Sequence, residues 1–261
     1  MVHWPYPFWI AHRGAGKQAP ENTLAAFRTG LAMGWRGFEC DVRVSADGQA
    51  FLLHDDTLER CTDGHGAAAA LEWPALARLD AGGWHSAPYR GEPLARLQDV
   101  ATLLLAQGAV LNIEIKPPPG AEARTGAGVA RQAQALWQAA KDAGAPWPLL
   151  SSFRPAALAA ARLAAPLLPR ALLLDRLPPD PVAAARSSGC VALVVHHPLL
   201  TAAPDLLAHA HQAGLRLLVY TVNDPALARH LQHAGVDGLI TDEVQCFQPD
   251  PAPRPPLAQA R

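Results

Sequence analysis

Ionisable side chains lie within, or directly after, several short apolar runs of this 261-residue chain. Charged groups are costly inside a packed core, so their position at the ends of apolar strands indicates a functional site. The residues at these positions are His12, Arg13, Glu39, Asp41, His54, Glu114 and Lys116.

Three of these residues are carboxylates. Glu39 and Asp41 are two residues apart, so on a strand they point to the same face and can converge on one cation. Glu114 supplies a third oxygen ligand, and such ligands favour a hard divalent ion, Mg2+ or Ca2+, without choosing between the two. The alternative is that Arg43 and Lys116 neutralise strand-end carboxylates for a structural purpose. Three inward carboxylates favour the metal site.

Two histidines are candidates for acid–base catalysis. His12 and His54 follow separate apolar runs, and an unperturbed imidazole titrates near neutral pH. One could accept a proton from an attacking oxygen while the other protonates a leaving alkoxide, and the sequence does not assign the two roles. We interpret the other histidines as solvated or hydrogen-bonded, with a weak substrate-contact hypothesis for His197.

Basic and aromatic residues complete the candidate site. Arg13 and Lys116 would bring fixed positive charge to phosphoryl oxygens, although Arg13 could also pair structurally with Glu21. Phe153 is predicted to contact substrate as part of an apolar wall for a small polyol. Trp84 and Tyr89 are further candidates for this wall, with simple packing as the alternative for all three rings.

Apolar runs alternate with amphipathic stretches, the pattern of parallel strands separated by helices. Nine candidate strands exceed an eight-stranded barrel by one, so 37–42 and 50–53 are predicted to form a local β-β unit around the turn at 46–48. The other predicted strands are 8–11, 110–115, 149–152, 171–174, 191–195, 215–221 and 238–240. The predicted helices are 22–33, 97–107, 129–143, 155–164, 183–187, 204–213 and 225–234.

The sequence predicts one domain over residues 1–248. Residues 55–93 lack sustained periodicity and are interpreted as a small inserted subdomain on an early βα loop, where barrel active sites are built. Residues 249–261 are Pro-rich and are predicted to be a mobile tail. The alternation of strands and helices predicts the α/β fold class and a (β/α)8 TIM-type barrel.

Composition narrows the possible partners. The chain is 50% hydrophobic and 17% charged with a net charge of -1, so it lacks a broad footprint for nucleic acid or for an anionic membrane surface. Its four cysteines form no CxxC pair and are interpreted as reduced thiols. No secretory signal or membrane anchor is recognisable, which predicts a cytoplasmic protein without stable membrane association. The oligomeric state stays open.

Long motifs occur in a fixed order along the chain. They read HRGAGKQAPENTLAAF, ECDVRVSADGQAFLLHDDTLERCTDGHG and NIEIKP, followed by LDAGGWHSAPYRGEPLARLQDV, LLSSF, LVYTVND and GVDGLITD. Together they resemble the glycerophosphodiester phosphodiesterase family, in particular its bacterial cytoplasmic type. The resemblance runs from about Trp4 to about Val244.

This resemblance implies a barrel with an inserted subdomain and a metal-dependent enzyme. Family members take glycerophosphodiesters such as glycerophosphocholine and glycerophosphoethanolamine and release sn-glycerol 3-phosphate and an alcohol. In their proposed mechanism a substrate hydroxyl attacks phosphorus and a cyclic phosphate is then hydrolysed. The family's functional positions fall on Glu39, Asp41 and Glu114 for metal, His12 and His54 for catalysis, and Arg13 and Lys116 for phosphate.

Minor departures from the family pattern leave the proposed catalytic groups in place. Cys61 stands where Thr or Ser is common, and Tyr220 stands where many relatives carry Trp, which bears on alcohol preference. Ala95 and Arg96 replace a pair that contains Pro.

Two alternative functions remain: a lysophospholipase D-like or phosphoinositide-cleaving barrel, and a non-catalytic phosphodiester-binding barrel. The polar insertion disfavours the first, and the complete set of ionisable groups disfavours the second.

Overall fold

The computed structural model of the protein describes residues 4–249. Eight parallel strands form a closed barrel, because the first strand pairs with both the second and the last. A ninth strand, β3, is attached at the side. The strands are β1 (Trp9–Ala11), β2 (Gly37–Val44), β3 (Ala50–Leu52), β4 (Val110–Ile115), β5 (Leu149–Ser152), β6 (Arg170–Leu174), β7 (Ala192–His196), β8 (Arg216–Tyr220) and β9 (Gly238–Thr241).

Helices alternate with the barrel strands, which confirms the predicted (β/α)8 TIM-type barrel. The α-helices of the described residues are α1 (Leu24–Ala32), α2 (Trp73–Leu76), α3 (Leu97–Ala106), α4 (Glu122–Asp142), α5 (Pro155–Ala164), α6 (Pro181–Ser187), α7 (His197–Ala202), α8 (Leu206–Gln212) and α9 (Pro225–Ala234). The two-residue period of each strand separates a face toward the helices from a face toward the barrel interior.

That period explains where the charged residues lie. In β2, Phe38, Cys40 and Val42 belong to the apolar layer beneath the helices. Glu39 and Asp41 alternate with them and therefore face the opposite side of the strand. Apolar residues of β5 to β9, such as Leu149, Leu173, Val194, Leu218 and Ile240, form a separate buried cluster. The charged side chains are thus confined to one part of a largely apolar barrel.

The predicted β-β unit is confirmed. β3 runs antiparallel to β2, with Val42 opposite Leu52 and Val44 opposite Ala50. The connecting turn contains Gly48, whose φ of 91° lies in the left-handed region that glycine adopts without strain. The hairpin sends the chain back along β2 instead of onward into a helix.

Several predicted helices have wrong boundaries, and α4 and α8 are examples. The helix expected at 129–143 begins at Glu122, because Gly126 and Gly128 interrupt the apolar pattern without ending the helix. A Cβ atom on Gly126 would lie 2.2 Å from the carbonyl oxygen of Ala157, so this glycine lets α4 approach α5 closely. The helix expected at 204–213 is Leu206–Gln212, and the unpredicted helix α7 precedes it.

The segment 55–93 is largely irregular and contains α2. Its Leu58 and Leu76 belong to a small apolar cluster that extends to Phe51 of β3 and to Leu94. That this segment forms a subdomain inserted in one domain of residues 1–248 stays a prediction. The predicted mobile tail, 249–261, lies outside the described residues except for Pro249. All four cysteines are free. No helix within residues 4–249 is long and apolar enough to cross a membrane.

Candidate active site

Neighbouring strands bring the three predicted carboxylates together. Asp41 of β2 lies directly opposite Glu114 of β4 in the parallel register, and Glu39 lies opposite Asn112. One ligand oxygen from each of the three carboxylates lies within 4.8 Å of the others, and all three residues are buried. Asp41 and Glu114 are 73 residues apart in the sequence, and the pairing of β2 with β4 brings them together.

Mutual repulsion and burial act strongly on these acids. Burial, with the charges of Asp41 and Glu114, raises the pKa of Glu39 well above its usual range. Burial and Asp41 raise the pKa of Glu114 to about 7. Burial also acts to raise the pKa of Asp41, but Arg13 and Lys116 outweigh it and lower that pKa.

The donor set fits a divalent cation. Within the described residues Oδ1 of Asp41 is buried and accepts no hydrogen bond, and Nζ of Lys116 lies 3.6 Å away from it. A buried carboxylate oxygen normally has a hydrogen-bond partner or a bound ion. Three converging carboxylates, one of which has a buried oxygen without a partner, are the ligands expected for Mg2+ or Ca2+.

Asn22 holds Asp41 in place. Its side-chain amide donates to Oδ2 of Asp41 at 2.8 Å, and its side-chain oxygen accepts from the Asp41 backbone N–H at 3.1 Å. The sequence prediction placed Asn22 inside the first helix, but α1 begins after Thr23, which caps it through Ala26 N–H. Asn22 instead has a φ of 61°, a conformation that Asn tolerates better than most residues.

His12 follows β1 and is oriented by a carboxylate that is not among the predicted site residues. Its Nδ1 lies 2.6 Å from Oδ1 of Asp242, which follows β9, and its Nε2 lies 3.7 Å from Oε2 of Glu39. The amide of Asn223 donates to the other Asp242 oxygen at 3.2 Å. Burial acts to raise the pKa of Asp242, but its bond to His12 outweighs this and lowers it. The position of Asp242 after an apolar strand was the available signal.

His54 reaches the site through the predicted β-β unit. It follows β3, the antiparallel strand outside the barrel. The chain returns beside β2, where Leu53 N–H donates to the Asp41 carbonyl at 3.1 Å. Nδ1 of His54 lies 2.6 Å from Oδ1 of Asp55, and burial lowers the pKa of His54.

The two basic residues contact the carboxylates. Arg13 pairs with Glu21 through Nη1 at 2.9 Å, as the structural alternative required, and its Nε lies 3.2 Å from Oδ2 of Asp41. Nζ of Lys116 lies 2.9 Å from Oε1 of Glu114. Burial acts to lower the pKa of Lys116, but Glu114 outweighs it and the pKa is raised. Both side chains therefore stay cationic beside the acidic cluster.

Phe153 lies next to this charged group. Its ring centroid is 5.9 Å from Nζ of Lys116 and 6.0 Å from the ring of Tyr220, which it meets edge to face. The Tyr220 hydroxyl donates to the carbonyl of Leu174 at 3.1 Å. The two rings form an apolar surface beside Lys116, and the role of Phe153 in substrate binding stays a prediction.

The other predicted aromatic contacts lie in separate groups. Trp84 and Tyr89 both pack against His85 within the insertion, at 5.7 and 5.5 Å between ring centroids. His197 is the first residue of α7 and lies 5.2 Å from the ring of His196, which in turn packs on Tyr220. The part of Trp84 and Tyr89 in an apolar wall, and the weak substrate-contact hypothesis for His197, stay predictions.

A cavity of about 1430 Å3 opens at the other end of the barrel. Its lining includes Tyr6, Val110 and Leu215, which lie at the amino ends of strands, together with Arg36 and Trp147. None of the eight predicted site residues, all of which the structure describes, lines this cavity. In barrel enzymes the chemistry takes place at the carboxyl ends of the strands, so the acidic cluster and not this cavity is the candidate active site.

Comparison with known proteins identifies relatives along nearly the whole chain. A family model described as "Glycerophosphoryl diester phosphodiesterase family" matches residues 12–246. A glycerophosphodiester phosphodiesterase of Caldanaerobacter subterraneus is 31% identical over 240 residues, which cover 90% of this chain and 93% of the relative.

Solved structures share the fold. A phosphodiesterase of Oleispira antarctica in complex with the product sn-glycerol-3-phosphate is 31% identical, with a TM-score of 0.83 over 93% of this chain and 96% of the other. A glycerophosphodiester phosphodiesterase of Agrobacterium tumefaciens is 28% identical, with a TM-score of 0.78 over 93% and 99% of the two chains. On this evidence the chain belongs to the glycerophosphoryl diester phosphodiesterase family and is a glycerophosphodiester phosphodiesterase.

Proposed function

We propose that this enzyme hydrolyses glycerophosphodiesters such as glycerophosphocholine and glycerophosphoethanolamine to sn-glycerol 3-phosphate and an alcohol, and that it needs a divalent cation. The observation that carries the proposal is the convergence of three buried carboxylates beside His12, whose imidazole is itself paired with a carboxylate. The product bound to the Oleispira antarctica phosphodiesterase supports the same reaction for this chain.

Glu39, Asp41 and Glu114 would hold the cation, either Mg2+ or Ca2+. Bound there, the cation supplies positive charge that stabilises the phosphoryl oxygens in the transition state. Burial, and then the charge of neighbouring carboxylates, raises the pKa of Glu39 and Glu114, and both side chains would lose that repulsion on holding a cation. The buried and unbonded Oδ1 of Asp41 supports this assignment.

His12 and His54 transfer the protons. One accepts the proton of a glycerol hydroxyl as that oxygen attacks phosphorus, and the other protonates the alcohol oxygen as its bond to phosphorus breaks. The products of this step are the free alcohol and a cyclic phosphate of glycerol. Water then opens the ring with the two roles exchanged, which restores both histidines and leaves glycerol 3-phosphate.

Fixed charge and shape assist these steps. Arg13 and Lys116 lie beside the carboxylate cluster, so their cationic groups can also contact the phosphoryl oxygens. Phe153 offers an apolar ring next to Lys116 for the carbon atoms of glycerol or of the alcohol. Asp242 and Asp55 each fix the orientation of one imidazole by bonding its Nδ1.

The test is release of glycerol 3-phosphate from glycerophosphocholine by the purified protein. We expect release to stop with EDTA and to return when Mg2+ or Ca2+ is added. Glu114→Gln should abolish the metal response, whereas Asp237→Asn, which removes a carboxylate at the amino end of β9, should keep it. Activity that survives EDTA would contradict the metal requirement. Hydrolysis of lysophospholipid without hydrolysis of glycerophosphocholine would favour a lysophospholipase D-like enzyme.

A further inference from the structure

Arg43 is a buried cation that the proposed reaction does not use. It lies in β2 two residues after Asp41 and therefore on the same face of the strand, and only 3% of it is exposed. Its contacts are with the backbone of other segments and with one outer carboxylate. An arginine with this little exposure must have its donors satisfied by specific acceptors.

The guanidinium group joins two segments that carry predicted site residues. Nη2 donates to the His54 carbonyl at 2.6 Å, and Nε donates to the Leu53 carbonyl at 3.1 Å. Nη1 donates to Oδ1 of Asp56 at 2.5 Å and to the Lys116 carbonyl at 3.3 Å. The Arg43 side chain thus holds the backbone of His54 close to the backbone of Lys116.

The segment after β3 depends on such contacts. Its residues 53–56 lie outside any helix or strand. Backbone hydrogen bonds join Leu53 N–H to the Asp41 carbonyl and Ala68 N–H to the Asp56 carbonyl, but none of the described ones involves His54 itself. Asp55, which orients the imidazole, belongs to the same segment and cannot fix its position relative to the barrel. Arg60 pairs with Asp55 and with Glu21, but the Arg60 side chain is 43% exposed and its ion pairs are screened by water.

We propose that Arg43 is a positioning residue, which sets the location of the His54 imidazole relative to Lys116 and the carboxylate cluster by holding both backbones. This inference rests on the proposed function, since it assumes that His54 transfers a proton. Acid–base catalysis requires the imidazole within hydrogen-bond reach of the reacting oxygen. A displacement of about 1 Å can lower a rate by about 10²-fold.

The test compares Arg43→Met and Arg43→Lys with Arg170→Met. Arg170 is a matched control, because it is 7% exposed and also donates to backbone carbonyls, those of Leu168 and Gly189. It opens β6 at the opposite end of the barrel. For each folded variant, kcat and KM for glycerophosphocholine would be measured at saturating Mg2+, with the melting temperature and the Mg2+ affinity measured separately.

We expect Arg43→Met to lower kcat by about 10- to 100-fold with KM changed by less than about threefold, because a misplaced imidazole weakens the transition state more than substrate binding. Arg43→Lys should recover part of kcat, since lysine can reach some of the carbonyls but cannot span them all. Arg170→Met should lower the melting temperature and leave kcat within about twofold of wild type.

A folded Arg43→Met variant with wild-type kcat would overturn the inference. A loss of kcat that disappears when more Mg2+ is added would also overturn it, because the effect would then come from the metal site. If Arg43→Met does not fold, Arg43→Lys decides: reduced kcat supports the inference, and wild-type kcat with a lower melting temperature refutes it. An inactive wild-type protein would instead reject the proposed function.

Discussion

We expect the carboxylate of Asp242 to raise kcat/KM by more than an order of magnitude. It lies 2.6 Å from Nδ1 of His12, which fixes the tautomer that presents Nε2 to the acidic cluster and stabilises the imidazolium formed during proton transfer. The change Asp242→Asn keeps the shape of the side chain but removes its charge.

The magnitude follows from the strength and exposure of this bond. A hydrogen bond to a charged group contributes about 1.5–3 kcal/mol net. Each ~1.4 kcal/mol changes a rate tenfold, which gives about 10- to 150-fold. The His12 and Asp242 side chains are 15% and 27% exposed, so water screens part of the charge. Asparagine can also still accept one hydrogen bond from the imidazole. We therefore expect kcat/KM to fall by about 10- to 50-fold.

The assay is glycerol 3-phosphate release from glycerophosphocholine at saturating cation. The control is Glu243→Gln, which removes the neighbouring negative charge. Within the described residues the Glu243 side chain bonds only Lys17 and Gln245. That exposed pair should matter little, so the control should stay within about twofold of wild type. A folded Asp242→Asn variant within threefold of wild type would refute the claim that this carboxylate supports His12.

Three further predictions test the histidine, the acidic cluster and the insertion. His12→Ala should remove most turnover while Mg2+ affinity stays near wild type, and His233→Ala, at an exposed position, should leave both unchanged; rapid turnover by the first variant would exclude His12 as acid or base. The pKa of Glu114 is raised to about 7 in the folded protein, chiefly by burial and then by Asp41, so the folded state binds this proton more tightly than the unfolded state. Metal-free protein should therefore lose stability as pH rises from about 4.5 to about 7, as followed by thermal unfolding in EDTA, and Glu114→Gln should flatten that slope. The pKa of Asp55 is lowered to about 2, first by hydrogen bonds from Arg60 and then by His54, so its stabilising effect is present above pH ~4 and is lost as pH falls toward about 2. Asp55→Asn should lose less stability across that acid range in urea unfolding, and an unchanged pH dependence would contradict the assignment.

Local patterns in the sequence were sufficient for the barrel and for much of the site. The alternation of apolar runs and amphipathic stretches predicted the strand count, and the two-residue strand period placed Glu39 and Asp41 on one face. Both are consequences of backbone geometry within a few residues. Helix ends were harder to predict where a glycine is needed for packing. Gly126 interrupts the apolar pattern of α4, but it lies inside the helix because it allows close contact with Ala157.

The tertiary structure alone decided which distant groups meet. His12 and Asp242 are 230 residues apart and come together because β1 pairs with β9 to close the barrel. His54 reaches the cluster because an antiparallel hairpin returns the chain beside β2, and Arg43 then holds its backbone. Local propensity carries no information on such closure and register, so the sequence could name the ionisable groups, but only the folded barrel could assign each one its partner.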